Sequence, residues 1–149
     1  MKNFKLVGIL CLALFAFSCE KSDGSDTLNE DLMSFTGEVV VTSSSSAVEN
    51  FDNAVFTAEL DMDAQTVDIV MIEISFATGM PAQTMTLEDV PYTLVNDKAV
   101  ILVDSIIPEI GGLPYPAYTI SDLAASISTD QMLLSFSCIS YTVVYSGEI

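Results

Sequence analysis

The sequence predicts an all-β fold, an antiparallel up-and-down barrel of about eight strands. Three observations carry this. From Phe35 onward the apolar residues recur with a period of two rather than 3.6. Polar or Pro/Gly-rich breaks interrupt that alternation at short, even intervals. No window places apolar residues at helical spacing, and Ser, Thr, Val and Ile dominate, as suits a pleated surface. Consecutive strands with tight turns favour a meander. Closure also removes the sheet edges that a domain without disulfides must otherwise protect.

The elements follow in order. Residues 38–42 hold Val39-Val40-Val41 and break at the serines from Ser43 to Ser46. Residues 54–60 alternate, with Ala54, Phe56, Ala58 and Leu60 on one face. Residues 61–65 are a polar turn. Residues 66–76 place Val70, Ile72, Ile74 and Phe76 on one face, with Asp68 and Glu73 on the other. Residues 85–90 form a short strand stopped by Pro91. Residues 92–95 and 99–104 flank Asn96-Asp97-Lys98, a hairpin turn. Residues 106–118 contain three prolines and two glycines and read as irregular. Residues 119–128 put Leu123, Ala125 and Ile127 together, and residues 131–138 do the same for Met132, Leu134, Phe136 and Cys138. Residues 141–145 close the chain.

The N-terminus reads as a processed leader. Lys2 and Lys5 precede an apolar run over residues 6–17, too short to span a bilayer, which needs about 20 residues. Ser18-Cys19 falls where that run stops, the arrangement of a bacterial lipoprotein cleavage site with Cys19 as the lipidated residue. Three segments result: a signal peptide over 1–18, an acidic spacer over 19–34 and a folded domain over 35–149. The spacer is polar and poor in apolar residues, the composition of a disordered tether. Glu20, where an Asp would retain a lipoprotein in the inner membrane, favours the outer membrane. The acidic stretch resembles a signal for export to the cell surface.

The chain has 149 residues, four lysines, no arginine, no histidine and no tryptophan, and a formal charge of −17. Cleavage before Cys19 leaves 21 acids against Lys21 and Lys98, a formal charge of −19. Such a chain repels phosphate backbones, so nucleic acid is excluded as a partner. Without histidine there is no His-based triad and no His-ligated zinc. Only Cys138 remains after the leader and the lipidated cysteine, so the domain has no internal disulfide. Roughly 110 residues then hold together by burial alone, which that size allows.

Few residues suggest chemistry. Asp61, Asp63 and Asp68 cluster, but no glycine or bidentate Glu completes a calcium loop, and they read as a solvated turn. Glu73 lies in a strand apolar on both sides. Facing inward it would be a polar point in a ligand cavity, and facing outward it is a solvent residue. Lys98 is the one base able to activate a Ser or Thr nucleophile, and it sits in a turn. Cys138 is on an apolar face and reads as a small buried hydrophobe. Tyr115 and Tyr118, in the segment Ile110-Gly111-Gly112-Leu113-Pro114-Tyr115-Pro116-Ala117-Tyr118, offer stacking faces to a ligand at a barrel mouth. Alternatively they pack on the barrel wall. No metal or cofactor is expected.

The strand and turn Glu73-Ile74-Ser75-Phe76-Ala77-Thr78-Gly79-Met80-Pro81, followed by Met85-Thr86-Leu87-Glu88-Asp89-Val90, resembles the calycin-like, or lipocalin-like, lipoproteins of gut bacteria. Phe35-Thr36-Gly37 and Tyr145-Ser146-Gly147 resemble that family's opening and closing strands. The resemblance spans residues 35–149. It implies an eight-stranded barrel and an envelope location, and it supplies no site residues. The Gly-x-Trp pattern of true lipocalins is absent.

The expectation is therefore a non-enzymatic, lipid-anchored outer-membrane barrel that binds a small apolar or amphipathic molecule, with Tyr115, Tyr118 and Glu73 as ligand contacts. The alternative is an accessory module of an envelope complex. A carrier needs an open interior. A module would have Phe56, Phe76, Met132 and Phe136 filling it, and an exposed apolar patch.

Overall fold

The computed structural model describes residues 27–76 and 80–149. Within them lie eleven strands and no α-helix. The strands are β1 (Met33–Ser43), β2 (Val48–Asp61), β3 (Thr66–Ile74), β4 (Gln83–Pro91), β5 (Thr93–Val95), β6 (Lys98–Ile106), β7 (Glu109–Ile110), β8 (Leu113–Pro114), β9 (Ile120–Ile127), β10 (Gln131–Cys138) and β11 (Tyr141–Glu148). One 3-10 turn covers Pro116–Tyr118. The expected leader, Cys19 and the first half of the spacer lie outside the described residues, as does Ala77-Thr78-Gly79.

All pairings are antiparallel, and the strands form one sheet in the order β5-β6-β9-β10-β11-β1-β2-β3-β4-β7-β8. Neighbours in the sheet are neighbours in the chain except where β11 returns to β1, β6 passes to β9 and β4 passes to β7. The sheet curls into a half-barrel, and β4 and β6 come within 8 Å of each other between Cα atoms. Eight of the strands have eight or more residues, while β5, β7 and β8 have two or three.

The curl has a local cause. In β2, β3, β4 and β9 two residues oppose one on the partner strand, at Asp52-Asn53, Ile72-Glu73, Glu88-Asp89 and Asp122-Leu123. Each bulge holds a residue in the left-handed region: Asn53 at φ 59°, Glu73 at 49°, Asp89 at 51° and Asp122 at 53°. Bulges bend a strand and raise its twist, which carries a flat ladder into a barrel wall. Asp68 supports one of them by accepting the Asp89 N–H at 2.8 Å. The Thr84 hydroxyl accepts the Glu73 N–H at 3.2 Å.

These bulges also correct one expected face. In β3 the inward residues are Val67, Ile69 and Met71, and then Ile74, while Ile72 is exposed. The extra residue at Ile72-Glu73 reverses the parity, so Val70 and Ile72 do not share the face of Ile74 and Phe76. The strand also ends at Ile74, two residues before the end that periodicity indicates. In β2, β9 and β10 the expected faces match the buried ones.

Inside, Phe35, Phe56, Phe76, Phe136 and Tyr145 are each at most 1 % exposed and fill the curl together with Met71, Met85 and Met132. No polar or charged residue is buried among the described residues. The fold begins before the expected boundary: Leu28 packs against the core and β1 starts at Met33. The residues 106–118, expected to be irregular, form the tiny β7–β8 hairpin about Gly111 and Gly112, both at positive φ, and then the 3-10 turn.

The opening and closing strands meet at a glycine pair. Gly37 lies opposite Gly147 in the β1–β11 ladder. A Cβ on Gly37 would collide with the backbone of Ser146 and Gly147, and one on Gly147 with the ring and hydroxyl of Tyr145. Tyr145 lies back across Gly147, stacks on Phe56 with ring centroids 3.8 Å apart, and donates its hydroxyl to the Phe35 carbonyl at 2.9 Å. Covering a strand glycine with an aromatic ring restores the contact the glycine lacks.

Candidate functional site

Four surfaces hold the residues that sequence pattern singled out or that exposure now reveals. The first is the end of the curl beneath the 3-10 turn. Tyr118 is half-buried and meets Phe76 edge-on at 6.2 Å, and Phe76 meets Phe136 edge-on at 5.8 Å. Tyr115 covers Tyr118 with centroids 5.0 Å apart and stays exposed. Its N–H donates to the Pro108 carbonyl at 2.8 Å, which ties the loop down. The two tyrosines therefore sit together at a barrel end, where Tyr118 closes onto the aromatic core beneath it. Prolines at 114 and 116 make this loop stiff, since each fixes its own φ.

Glu73 is elsewhere. It is exposed and lines a crevice of about 360 Å³ where the first half of β2 parts from β3. Phe51, Ala54, Ile72 and Ile74 give that crevice its apolar part, and Asp52 and Glu73 its charge. Neither tyrosine lines it, so the three expected contacts do not converge on one site.

A third surface lies at the opposite barrel end, where the N-terminal residues enter. Glu30, Glu59, Asp61, Asp63, Asp68 and Asp89 rim a concavity of about 580 Å³. Several of these acids hold backbone. Asp61 accepts the Ala64 N–H at 2.7 Å and caps the β2–β3 turn, and Asp68 braces the Asp89 bulge. Among the described residues no group of three or more His, Cys, Asp or Glu is placed to hold a metal ion. On the neighbouring outer face of β4, repulsion from Glu109 first, then burial, then Asp68 and Asp89 hold the Glu88 carboxyl above its ordinary value. Tyr92 closes this end, its hydroxyl 3.1 Å from the Met62 sulfur, and burial, Asp61 and Glu30 raise its pKa.

Cys138 is buried, its thiol donates to the Tyr118 carbonyl at 3.5 Å, and burial pushes its pKa up to about 11. A thiol held protonated in this way is a poor nucleophile. Lys98 is exposed at the β5–β6 turn, where Asn96 and Asp97 both take positive φ, as a two-residue hairpin turn requires.

The fourth surface was not singled out by sequence pattern. On the outside of β6, β9, β10 and β11, Leu102 is 77 % exposed, Val144 46 % and Leu133 43 %. They border a shallow trough of about 460 Å³ floored by Ala124, Ser126 and Ser135. The signal was present: Leu102, Leu133 and Val144 stand at positions that alternate with the core residues, where a solvent face would carry polar side chains.

No family model matches the chain, and no curated protein or solved structure is detectably similar to it.

Proposed function

We propose that this protein is a lipid-anchored, non-catalytic, calycin-like barrel of the outer membrane that serves as an accessory interaction module of the cell envelope. One observation carries the reading: the interior is packed with aromatic and aliphatic side chains, while a charge-free apolar surface faces outward. An eight-stranded barrel has an interior just wide enough to be filled by side chains or to admit one small ligand. Here Phe56, Phe76, Met132 and Phe136 take that space. Eight strands of barrel-wall length, in meander order apart from the short insertions, support the calycin-like architecture. The Gly37–Gly147 pairing supports it too, because it brings together the two motifs on which the resemblance rests. The lipid anchor rests on the Ser18-Cys19 step at the end of the apolar run. A non-catalytic role is supported by the absence of histidine and arginine and by the burial of Cys138.

The crevice beside Glu73 favours a second reading, a carrier of one small amphipathic molecule. Its volume reaches the lower end of the range for ligand pockets, about 300–1,000 Å³. Against this, the central aromatics behind it are sealed from solvent, so the crevice is shallow. Titration with a fluorescent fatty-acid analogue separates the two. The module reading expects no saturable binding with one-to-one stoichiometry. Saturable one-to-one binding that Glu73→Gln or a bulky Ala54→Phe replacement removes would support the carrier.

A further inference from the structure

The outer face of β6, β9, β10 and β11 deepens the interaction reading, on which it rests, by indicating what kind of partner fits. Strand register arranges the side chains in two rows across the sheet. One row runs Val100, Ser126, Leu133, Ser146. The next runs Leu102, Ala124, Ser135, Val144 and reaches Val40 on β1. Bulky and small residues alternate in the first row, and two small ones lie between Leu102 and Val144 in the second, so the small residues form a trough between Leu102, Leu133 and Val144. The surface continues past Val100 to a second shallow hollow, of about 340 Å³, against Val95 of the β5 edge and Tyr92 just before that strand.

Across β6, β9, β10 and β11 no residue of either row is charged, on a chain of formal charge −17. The frame around the rows is acidic. Asp104 continues β6 beyond Leu102, Glu148 continues β11 beyond Ser146, and Glu38 lies opposite Ser146 on β1. All three are exposed. Lys98, the only cation among the described residues, stands at one corner. Single exposed leucines are ordinary on a soluble surface, but a contiguous apolar field with a charged border marks a contact site.

We propose that this face docks a protein partner whose contact surface carries apolar side chains ringed by lysine or arginine. Opposite charge at the border steers approach and fixes orientation, and the apolar centre supplies the contact that excludes water. A second copy of this chain would set one acidic frame against another, and like charges juxtaposed across an interface oppose that pairing. An anionic lipid surface meets the same repulsion.

The test places a photocrosslinking amino acid at the Leu133 position of the full-length protein, expressed in its own host, and separately at the Asp63 position on the acidic rim. The expected result is an adduct at Leu133 with a protein whose crosslinked segment is flanked by Lys or Arg. Asp104→Lys combined with Glu38→Lys should cut its yield roughly fivefold or more, and Asp63→Lys should leave it unchanged. Circular dichroism confirms that the charge-reversed protein is folded. Leu102→Ser, a milder change at the centre, should lower the yield without altering the charge. An adduct of twice the chain mass, a lipid adduct, no adduct at Leu133, or a yield indifferent to the reversals overturns the proposal. Protein adducts at Asp63 alone overturn this face and leave the interaction reading standing. A co-purifying small molecule with no protein adduct at either position overturns both.

Discussion

Tyr145 shows how one side chain joins the two ends of this chain. Its ring covers Gly147 on its own strand and stacks on Phe56 of β2, and its hydroxyl binds the Phe35 carbonyl on β1. Burial pushes that hydroxyl up to about 12, from an ordinary value of 10.0. The unfolded chain therefore loses the proton before the folded one does. The stabilising contribution is whole below about pH 10 and drains away as pH rises towards 12. Cys138 behaves likewise, with a thiol raised from 9.0 to about 11, so its part is lost over a lower window. Tyr145→Phe should remove the upper part of this alkaline slope. It should also cost about 1–2 kcal/mol at neutral pH, because the Phe35 carbonyl loses its partner. Urea midpoints measured against pH for the two proteins check both statements. An unchanged slope would mean that Tyr145 is not the group responsible.

At the scale of the element, the bulges decide what sequence periodicity can and cannot reveal. Uninterrupted stretches were legible: Ala54 to Leu60 and Met132 to Cys138 have the faces that alternation predicts. The first half of β2 was not, because Asp52-Asn53 breaks the alternation before Ala54. The face of β3 was misread for the same reason at Ile72-Glu73. Asparagine and aspartate often take the left-handed conformation, but nothing in the local sequence marks a glutamate as doing so. The candidate contacts were legible as residue types and not as a constellation. Tyr115 and Tyr118 pair at one barrel end, and Glu73 stands apart in the wall. The outer apolar field depends on registry between four strands, which no single strand's pattern contains. The bulge account predicts opposite effects at one position. Glu73→Gly relieves the left-handed backbone and should be neutral or stabilising by up to about 1 kcal/mol. Glu73→Val puts a β-branched residue there and should cost about 1–2 kcal/mol. Denaturant midpoints of the two variants read this directly. Destabilisation by the glycine would show that the carboxylate itself supports the fold.

For the whole molecule, charge and burial separate cleanly. Every described acid is on the surface or at its rim, and the interior is apolar throughout. Of the acids read from the sequence as a solvated turn, Asp61 caps that turn and Asp68 braces a bulge. Among the described residues the single cysteine is free and no polar or charged residue is buried, so the fold depends on apolar packing. The same excess of acid opposes approach to anionic surfaces, in keeping with the uncharged outer field as the proposed place of contact. The proposed anchor makes its own prediction. Cys19→Ser should abolish metabolic labelling by a fatty-acid analogue and release the protein from the membrane fraction, and persistent labelling would refute the lipidation.

Native mass spectrometry of the full protein purified from its own host under mild conditions tests the central claim most directly. The packed core predicts a domain that carries no small molecule and travels, if accompanied, with a protein partner. A stoichiometric small apolar molecule that survives purification and leaves on activation would contradict it.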